Sequence, residues 1–295
     1  MALSLRLGDT RAMVEVVRAH DREALGERLQ ADRYNATYAL AQLDDDAWPD
    51  AEFYLSSTPN GVAVVCHSRG GLGYATTLAG PSDGVSAILG LHPGFPTTFA
   101  IADPQHVEAL ETTFTFRQIT RMMRMLVTRE SFRPNNRPAQ PMLGAHVQLL
   151  NRLYNAEGDP THYRNEHIAE GCYWGVVDNE RLVAVAGTHA IGRTHGIAIL
   201  GNVFTHPRFR GRGHATTATS AVTAALLEQV DEVVLSVDPA NAPAVHAYRK
   251  LGYRQVGEIV EASATRRHTG TLITAVRRWA ARRRGPDGER EVVST

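Results

Sequence analysis

The stretch Val203-Phe204-Thr205-His206-Pro207-Arg208-Phe209-Arg210-Gly211-Arg212-Gly213-His214-Ala215 carries the most fold information in this 295-residue chain. It predicts an apolar strand, a turn rich in glycine and arginine, and then a helix. Gly211 and Gly213 have no Cβ, so the backbone can approach a ligand closely. Free N–H groups and the helix dipole favour a negative charge at the start of the helix. Together with the permanently charged arginines, these features predict a site for a pyrophosphate group.

Two other phosphate-binding motifs do not fit this turn. The Walker pattern fails because no Gly-Lys-Ser/Thr follows. The dinucleotide fingerprint fails because Thr216 stands where its third glycine belongs, and no acidic residue follows at the expected distance. A separate pair, Gly71-x-Gly73, has no helix after it, and we interpret it as a turn between strands.

A second informative segment lies downstream, Asn241-Ala242-Pro243-Ala244-Val245-His246-Ala247-Tyr248-Arg249-Lys250-Leu251-Gly252-Tyr253. The first segment resembles the Arg/Gln-x-x-Gly-x-Gly/Ala signature of the GNAT superfamily, the acyl-CoA-dependent N-acyltransferases. The second resembles that family's Asn-x-x-Ala-x-x-x-Tyr-x-x-x-Gly-Phe/Tyr segment. The two occur in the family's order with a predicted strand between them, and the resemblance covers about residues 115–276.

The resemblance implies a coenzyme A site and a direct transfer mechanism. In the family, the strand before the turn offers main-chain groups to pantetheine and to the acyl carbonyl, the turn holds the pyrophosphate, and the asparagine touches pantetheine. The family's tyrosine protonates the departing thiolate, which assigns this role to Tyr248, although Tyr248 could also be an ordinary core tyrosine. Asn241 could instead, or in addition, cap its helix. The implied acetyl-CoA-binding residues are Val203, Phe204, Thr205, Arg210, Gly211, Arg212, Gly213, His214, Ala215, Asn241 and Tyr248.

An acceptor amine must lose a proton when it receives the acyl group. The sequence leaves open which residue takes this proton. Glu170, His189 and Asn202 are the candidates, and Asn202 would act only by ordering a water molecule. The spacing His167-x-x-Glu170 suggests no metal site because further ligands are missing. We therefore expect acetyl-CoA as the co-substrate and no metal.

The chain divides into two halves and a tail. The sequence predicts an N-terminal α/β half at residues 1–113, a catalytic GNAT-like half at 114–281 and a polar, disordered tail at 282–295. The fold class expected is α/β (α+β), with a mixed, mostly antiparallel central sheet flanked by helices. The N-terminal half resembles a degenerate GNAT-like unit, as in tandem family members, and we expect it to close over the acceptor site or pack on the catalytic half. Its predicted elements include a helix over residues 10–31 and a strand at Ser86–Leu89.

Composition limits the classes of partner. Thirty-one basic and 31 acidic residues give a net charge of zero, which argues against binding to nucleic acid or anionic lipid. Cys66 and Cys172 are too few for a disulfide framework or a zinc site. No apolar run reaches the roughly 18 residues that a membrane span needs. These features predict a soluble, cytoplasmic protein with no nucleic-acid or membrane partner.

The leading hypothesis is an N-acetyltransferase that moves an acetyl group from acetyl-CoA to an amine of a small molecule or peptide. One alternative is a catalytically silent acyl-CoA-binding sensor, which the retained Tyr248 disfavours. Another is a tandem GNAT enzyme of small-thiol cofactor synthesis. The acceptor, the length of the acyl chain and the oligomeric state are left open by the sequence.

Overall fold

The computed structural model describes residues 13–70, 73–157, 163–267 and 290–294. Fourteen strands within these ranges form one sheet, flanked on both faces by helices. In the first half the elements are, in chain order, β1 Met13–Ala19, α1 Arg22–Gln30, α2 Thr37–Ala41, β2 Ala51–Thr58, β3 Gly61–Gly70, β4 Gly73–Ala79, α3 Ser82–Leu91, β5 Thr97–Ala102, α4 Val107–Thr113 and β6 Phe114–Phe116.

The second half repeats much of this order. Its elements are β7 Thr120–Thr128, β8 Gln140–Pro141, α5 Val147–Tyr154, α6 Asn165–Glu170, β9 Trp174–Asp178, β10 Arg181–Gly192, β11 Ile197–Thr205, α7 His214–Leu227, β12 Glu232–Val237, α8 Ala242–Lys250, β13 Arg254–Arg266 and β14 Arg290–Ser294. In each half, three antiparallel strands lead into a helix and then into a strand parallel to the third.

The strand order is β14-β1-β2-β3-β4-β5-β13-β7-β12-β11-β10-β9-β8, with β6 paired to β13. Among the described strands, β4–β5 and β11–β12 are parallel pairs and the other pairs are antiparallel. The predicted fold class, a mixed and mostly antiparallel sheet between helices, is confirmed.

One strand of the second half pairs with the first half at the centre of the sheet. β13 comes from the end of the second half but pairs with β5 of the first, from Val260↔Ala102 to Thr265↔Thr97. β7, the first strand of the second half, pairs with β12 of the same half. β13 and β7 also pair with each other. The β13–β5 pair therefore joins the two halves into one sheet.

Helices α1 and α2 of the first half bury their apolar side chains against both halves. Leu25, Leu29 and Leu40 pack with Phe53 and Val64 of the first half in one cluster. The same cluster contains side chains from the second half, namely Leu126, Ile197, Ile199 and Val234. Helix α7 covers the opposite face of the second half through Ala218, Val222 and Leu226. Each face of the sheet thus has its own apolar layer.

Some sequence expectations differ from the structure. Residues 13–19, expected to be helical, form β1, since the β-branched Val14 and Val16 pack into the core and both edges of the strand are paired. Ser86–Leu89, expected to be a strand, lies within α3. Arg290–Ser294, expected in a disordered tail, forms β14 on β1, and its Val292 and Val293 favour a strand. Residues 282–289 lie outside the described part of the chain.

In the described part of the chain, the structure contains no helix that is both long enough and apolar enough to cross a membrane.

Candidate functional site

The parallel strands β11 and β12 separate in the middle of the second half. They pair only from Ile197↔Glu232 to Leu200↔Leu235. Beyond Leu200, β11 continues along β10 as far as Thr205. The main-chain groups on the side of β11 that faces β12 are therefore released from the ladder over residues 202–205. Such groups need a partner, which a ligand can supply.

The turn after β11 has a backbone that requires glycine. Gly211 and Gly213 have φ angles of 77° and 83°, which side chains rarely adopt. Gly213 is the N-cap of α7 and supplies no side-chain hydrogen bond to the first turn. The N–H groups at the start of this 14-residue helix thus remain open to an anion.

Two buried polar atoms beside the turn also lack partners. Thr205 Oγ1 and His214 Nε2 have no hydrogen bond within the described residues. Unsatisfied buried polar atoms are rare in folded proteins and commonly indicate a missing ligand or water. The strand end, the turn and the start of α7 therefore fit a ligand with phosphate oxygens, as expected for coenzyme A.

Arginines surround this turn. Arg210 forms a 2.8 Å ion pair with Glu157, donates from Nε to the Thr205 carbonyl, and lies over the Phe204 ring. Arg212 lies over the Phe209 ring at 5.2 Å. Arg137 donates to the Arg212 carbonyl at 2.9 Å and was not identified from the sequence. It comes from the proline-rich segment 134–141, and no local motif connects it to the turn.

The remaining cofactor-site candidates lie on β11 and α8. Val203 packs on the α7 side of the sheet, whereas Phe204 packs on the α5 side, and Ala215 is half-buried in the first turn of α7. Asn241 Oδ1 accepts a hydrogen bond from the Ala244 N–H at 3.2 Å, so its predicted capping role is confirmed.

Tyr248 lies on α8 with its ring in the core. The ring is 6.0 Å from that of Tyr253, and the residue is 7% exposed. Burial raises the pKa of Tyr248 to about 12, so its hydroxyl stays protonated at neutral pH. Within the described residues this hydroxyl makes no hydrogen bond, which leaves its proton available to a ligand.

His189 is the extra residue of a bulge in β10, where the register with β11 shifts between Thr188 and Ala190. Its imidazole lies over Gly201, where an added Cβ would come within 1.9 Å of the ring. His189 is exposed, yet burial among surrounding protein and the charge of Arg124 lower its pKa to about 4. The imidazole is therefore accessible to water and also packed among protein groups.

Side chains from both halves lie near this imidazole, and the sequence did not reveal this grouping. Tyr38 of α2 has its ring 6.1 Å from His189, and Arg124 lies 5.7 Å from the same tyrosine ring. The fully buried Arg124 donates to the Tyr34 carbonyl and to Ser236 Oγ. Its Nη2 has no partner in the described structure. We call Tyr38, Arg124, His189, Ser236 and Glu261 the inter-half cleft.

Glu261 adds a carboxylate to this cleft. Burial raises its pKa, against the opposing effects of the Ser236 hydroxyl and of Arg124. Burial also raises the pKa of Tyr38, to which the Glu261 charge contributes. The cleft therefore contains one buried cation, one desolvated carboxylate and a neutral imidazole.

The other two base candidates occupy different environments. Glu170 is exposed at the end of α6 and makes no hydrogen bond or ion pair with the described residues. The side chain of Asn202 is held by Tyr163, Tyr173 and the Thr188 carbonyl. Among the described residues, no group of three or more His, Cys, Asp or Glu side chains is arranged to hold a metal ion.

Comparisons with known proteins agree with this geometry. Residues 143–253 match the acetyltransferase (GNAT) family model. No curated protein matches the sequence. A GCN5-related N-acetyltransferase from Kribbella flavida has a similar structure, with a TM-score of 0.54, 17% identity, and coverage of 79% of this chain and 94% of that one.

Two further solved structures resemble nearly the whole chain. A GNAT-family structure from Novosphingobium aromaticivorans DSM 12444 has a TM-score of 0.57 at 16% identity and covers 78% of this chain and 96% of that one. A tandem GNAT protein from the clavulanic acid biosynthesis pathway has a TM-score of 0.52 at 12% identity, with coverage of 86% and 98%. At these identities the likeness concerns the fold. Residues 143–253 thus match the GNAT acetyltransferase family model, and the chain has the fold of GNAT-family structures.

Proposed function

We propose that this protein is an N-acetyltransferase that moves an acetyl group from acetyl-CoA to an amine. The observation that carries the proposal is the junction of β11 and α7. There, main-chain groups released from the sheet lead directly into a glycine turn and an uncapped helix start. Pantetheine needs hydrogen-bonding partners along an extended chain, and its pyrophosphate needs N–H groups and positive charge.

Each step of the transfer would then be carried out by a specific group of this chain. Acetyl-CoA supplies the acyl group as a thioester. The neutral imidazole of His189 takes the proton that the acceptor amine loses as its nitrogen bonds to the acyl carbon. A main-chain N–H of residues 203–205 donates to the acyl oxygen. The Tyr248 hydroxyl gives its proton to the sulfur as the carbon–sulfur bond breaks.

The inter-half cleft is our proposed acceptor site. The Glu261 carboxylate attracts a protonated amine, whereas burial, with the charge of Arg124, keeps the imidazole of His189 neutral. The His189 ring lies over Gly201, the residue that follows the last β11–β12 pair at Leu200. A small molecule or a peptide terminus with a primary amine suits these groups.

Calorimetric titration with acetyl-CoA tests the coenzyme site, with NADH and ATP as ligand controls. We expect selective binding of acetyl-CoA that the double variant Arg210→Glu, Gly213→Glu loses by at least tenfold, because it adds negative charge at the helix start. Arg28→Glu on the exposed face of α1 is a charge-reversal control away from the turn and should bind as the wild type does. Equal binding by the double variant, or no binding by the wild type, would contradict the proposal. Binding without turnover of any amine would instead favour the sensor.

A further inference from the structure

We propose that Tyr154, Tyr163 and Tyr173 are positioning residues that act through Asn202 to aim the main chain of β11 at the acyl carbonyl. We call these four residues the tyrosine clamp. The inference rests on the proposed acetyl transfer. It also gives Asn202 a role different from ordering a catalytic water.

Asn202 has an uncommon backbone conformation. Its φ is 53°, in the left-handed region that few residues other than glycine adopt. Asparagine tolerates this region better than most residues do. The last residue of β11 that pairs with β12 is Leu200. Asn202 follows it by two residues, with Gly201 between them. The peptide plane that follows Asn202 therefore sets the direction of the Val203 N–H.

Three groups fix the side chain of Asn202. The Tyr163 hydroxyl donates to Asn202 Oδ1 at 2.9 Å. Asn202 Nδ2 donates to the Tyr173 hydroxyl oxygen at 2.8 Å and to the Thr188 carbonyl at 3.2 Å. Both amide hydrogens and the amide oxygen are thus engaged, so the side chain has no free donor with which to order a water molecule.

A third tyrosine holds the main chain itself. The Tyr154 hydroxyl donates to the Asn202 carbonyl oxygen at 2.5 Å. This carbonyl belongs to the same peptide group as the Val203 N–H. Rotation of that peptide would break this hydrogen bond, so Tyr154 resists a flip of the peptide plane.

The tyrosines are themselves fixed by close packing. The Tyr154 and Tyr163 ring centroids are 4.9 Å apart. Asn151 exchanges two hydrogen bonds with the main chain of Tyr163, at 2.9 and 3.0 Å. Tyr173 lies against Gly187, where an added Cβ would come within 2.2 Å of its ring. Such second contacts are needed when a group must be held to within a fraction of an ångström.

The clamp keeps its hydrogen bonds across the working pH range. Burial raises the pKa of Tyr154, of Tyr163 and of Tyr173. The hydroxyl donors therefore remain protonated near neutral pH. A pH change between 6 and 9 should alter the protonation of the acceptor amine and leave the hydrogen bonds of the clamp intact.

The experiment compares Tyr163→Phe and Asn202→Gly with the wild type, and uses Tyr74→Phe, an exposed tyrosine of β4, as the matched control. Glycine at 202 keeps access to positive φ but removes the side chain. The first measurement is calorimetric affinity for coenzyme A and acetyl-CoA. The second is the infrared carbonyl stretch of bound [1-13C]acetyl-CoA, which reports hydrogen bonding to the acyl oxygen. The third is hydrogen exchange of the amides of residues 201–205 without ligand.

We expect both clamp variants to bind coenzyme A within about threefold of the wild type, because the turn and α7 are intact. Their carbonyl stretch should lie nearer to that of free acetyl-CoA, and residues 201–205 should exchange at least tenfold faster. Tyr74→Phe should match the wild type in all three. An unchanged carbonyl stretch with unchanged exchange would overturn the clamp. If the wild type bound no acetyl-CoA, the proposed function would fail, and exchange alone would still show whether the tyrosines order residues 201–205.

Discussion

Tyr248 combines a buried ring with a hydroxyl whose pKa is raised to about 12. Tyr248→Phe should therefore lower the rate of acetyl transfer at least tenfold and leave the affinity for acetyl-CoA within about twofold, since only the proton donor is lost. Steady-state kinetics and calorimetry measure the two effects.

Tyr253→Phe is the matched control, because it removes a buried hydroxyl that bonds Thr223 at 2.8 Å. It should cost about 1 kcal/mol of stability but little rate. A Tyr248→Phe enzyme with an unchanged rate across pH 6–9 would contradict the acid role.

His189 gives a pH prediction with a definite sign. Its folded pKa of about 4 is below the ordinary value of 6.5, so the imidazole is already neutral at pH 5 and above. A histidine titration by NMR should show a midpoint near pH 4 for His189. The unfolded chain takes up this proton first as pH falls from 6.5, so the free energy of unfolding should decrease between pH 6.5 and 4. A midpoint near 6.5 would contradict the effect of burial and of the Arg124 charge on this imidazole, and His189→Gln identifies the resonance.

How much of the site the sequence reveals depends on whether a residue lies in a local motif. The turn at residues 210–215 and the Asn241 cap were recognisable because their chemistry is contained in consecutive residues. Tyr38, Arg124 and Glu261 were not recognisable, because they lie far apart in the sequence. They meet only after α2, β7 and β13 have packed together. The tyrosines around Asn202 were missed for the same reason.

At the scale of elements, strands and helices were predictable where periodicity and turn chemistry agreed. The hairpin at Asp178-Asn179-Glu180 was predicted from its turn residues, and Asn179 and Glu180 have the positive φ angles that such a turn needs. β1 was missed because its apolar residues also fit a helical spacing, and pairing with β2 and β14 decided the outcome. Pairing with strands that are distant in the sequence is a tertiary effect, and local secondary-structure propensity does not predict it.

The corresponding junctions of the two halves show why only one is a candidate coenzyme site. In the second half, eight residues separate β11 from α7 and include two glycines with positive φ. In the first half, only Gly80 and Pro81 separate β4 from α3. The first turn of α3 contains Asp83, whose carboxylate already accepts from the Gly84 N–H at 2.8 Å. A negative side chain at a helix start repels the phosphates that the second half would attract.

At the scale of the whole molecule, the pairing of β13 with β5 makes the halves depend on each other. Without the first half, β13 would lose β5 as a partner along Val260–Thr265. Asp44 would also no longer accept from the Arg193 and Thr194 N–H groups. Removal of α1 and α2 would expose four buried side chains of the second half, namely Leu126, Ile197, Ile199 and Val234. At about 1.5–3 kcal/mol each, this exposure would cost roughly 6–12 kcal/mol. That cost is comparable with the whole stability of a domain, about 5–15 kcal/mol.

A fragment of residues 114–295 should therefore fail to fold on its own, even though it contains every residue of the proposed coenzyme site. We expect low solubility and no cooperative thermal transition for this fragment by circular dichroism. Co-expression with residues 1–113 should restore a soluble complex that binds acetyl-CoA, because β5, α1 and α2 would again cover the exposed strands. A Leu25→Ala, Leu29→Ala chain, in which α1 loses its buried leucines, should show an intermediate loss of stability. A folded, fully active 114–295 fragment would contradict this dependence and would leave the inter-half cleft without a role for Tyr38.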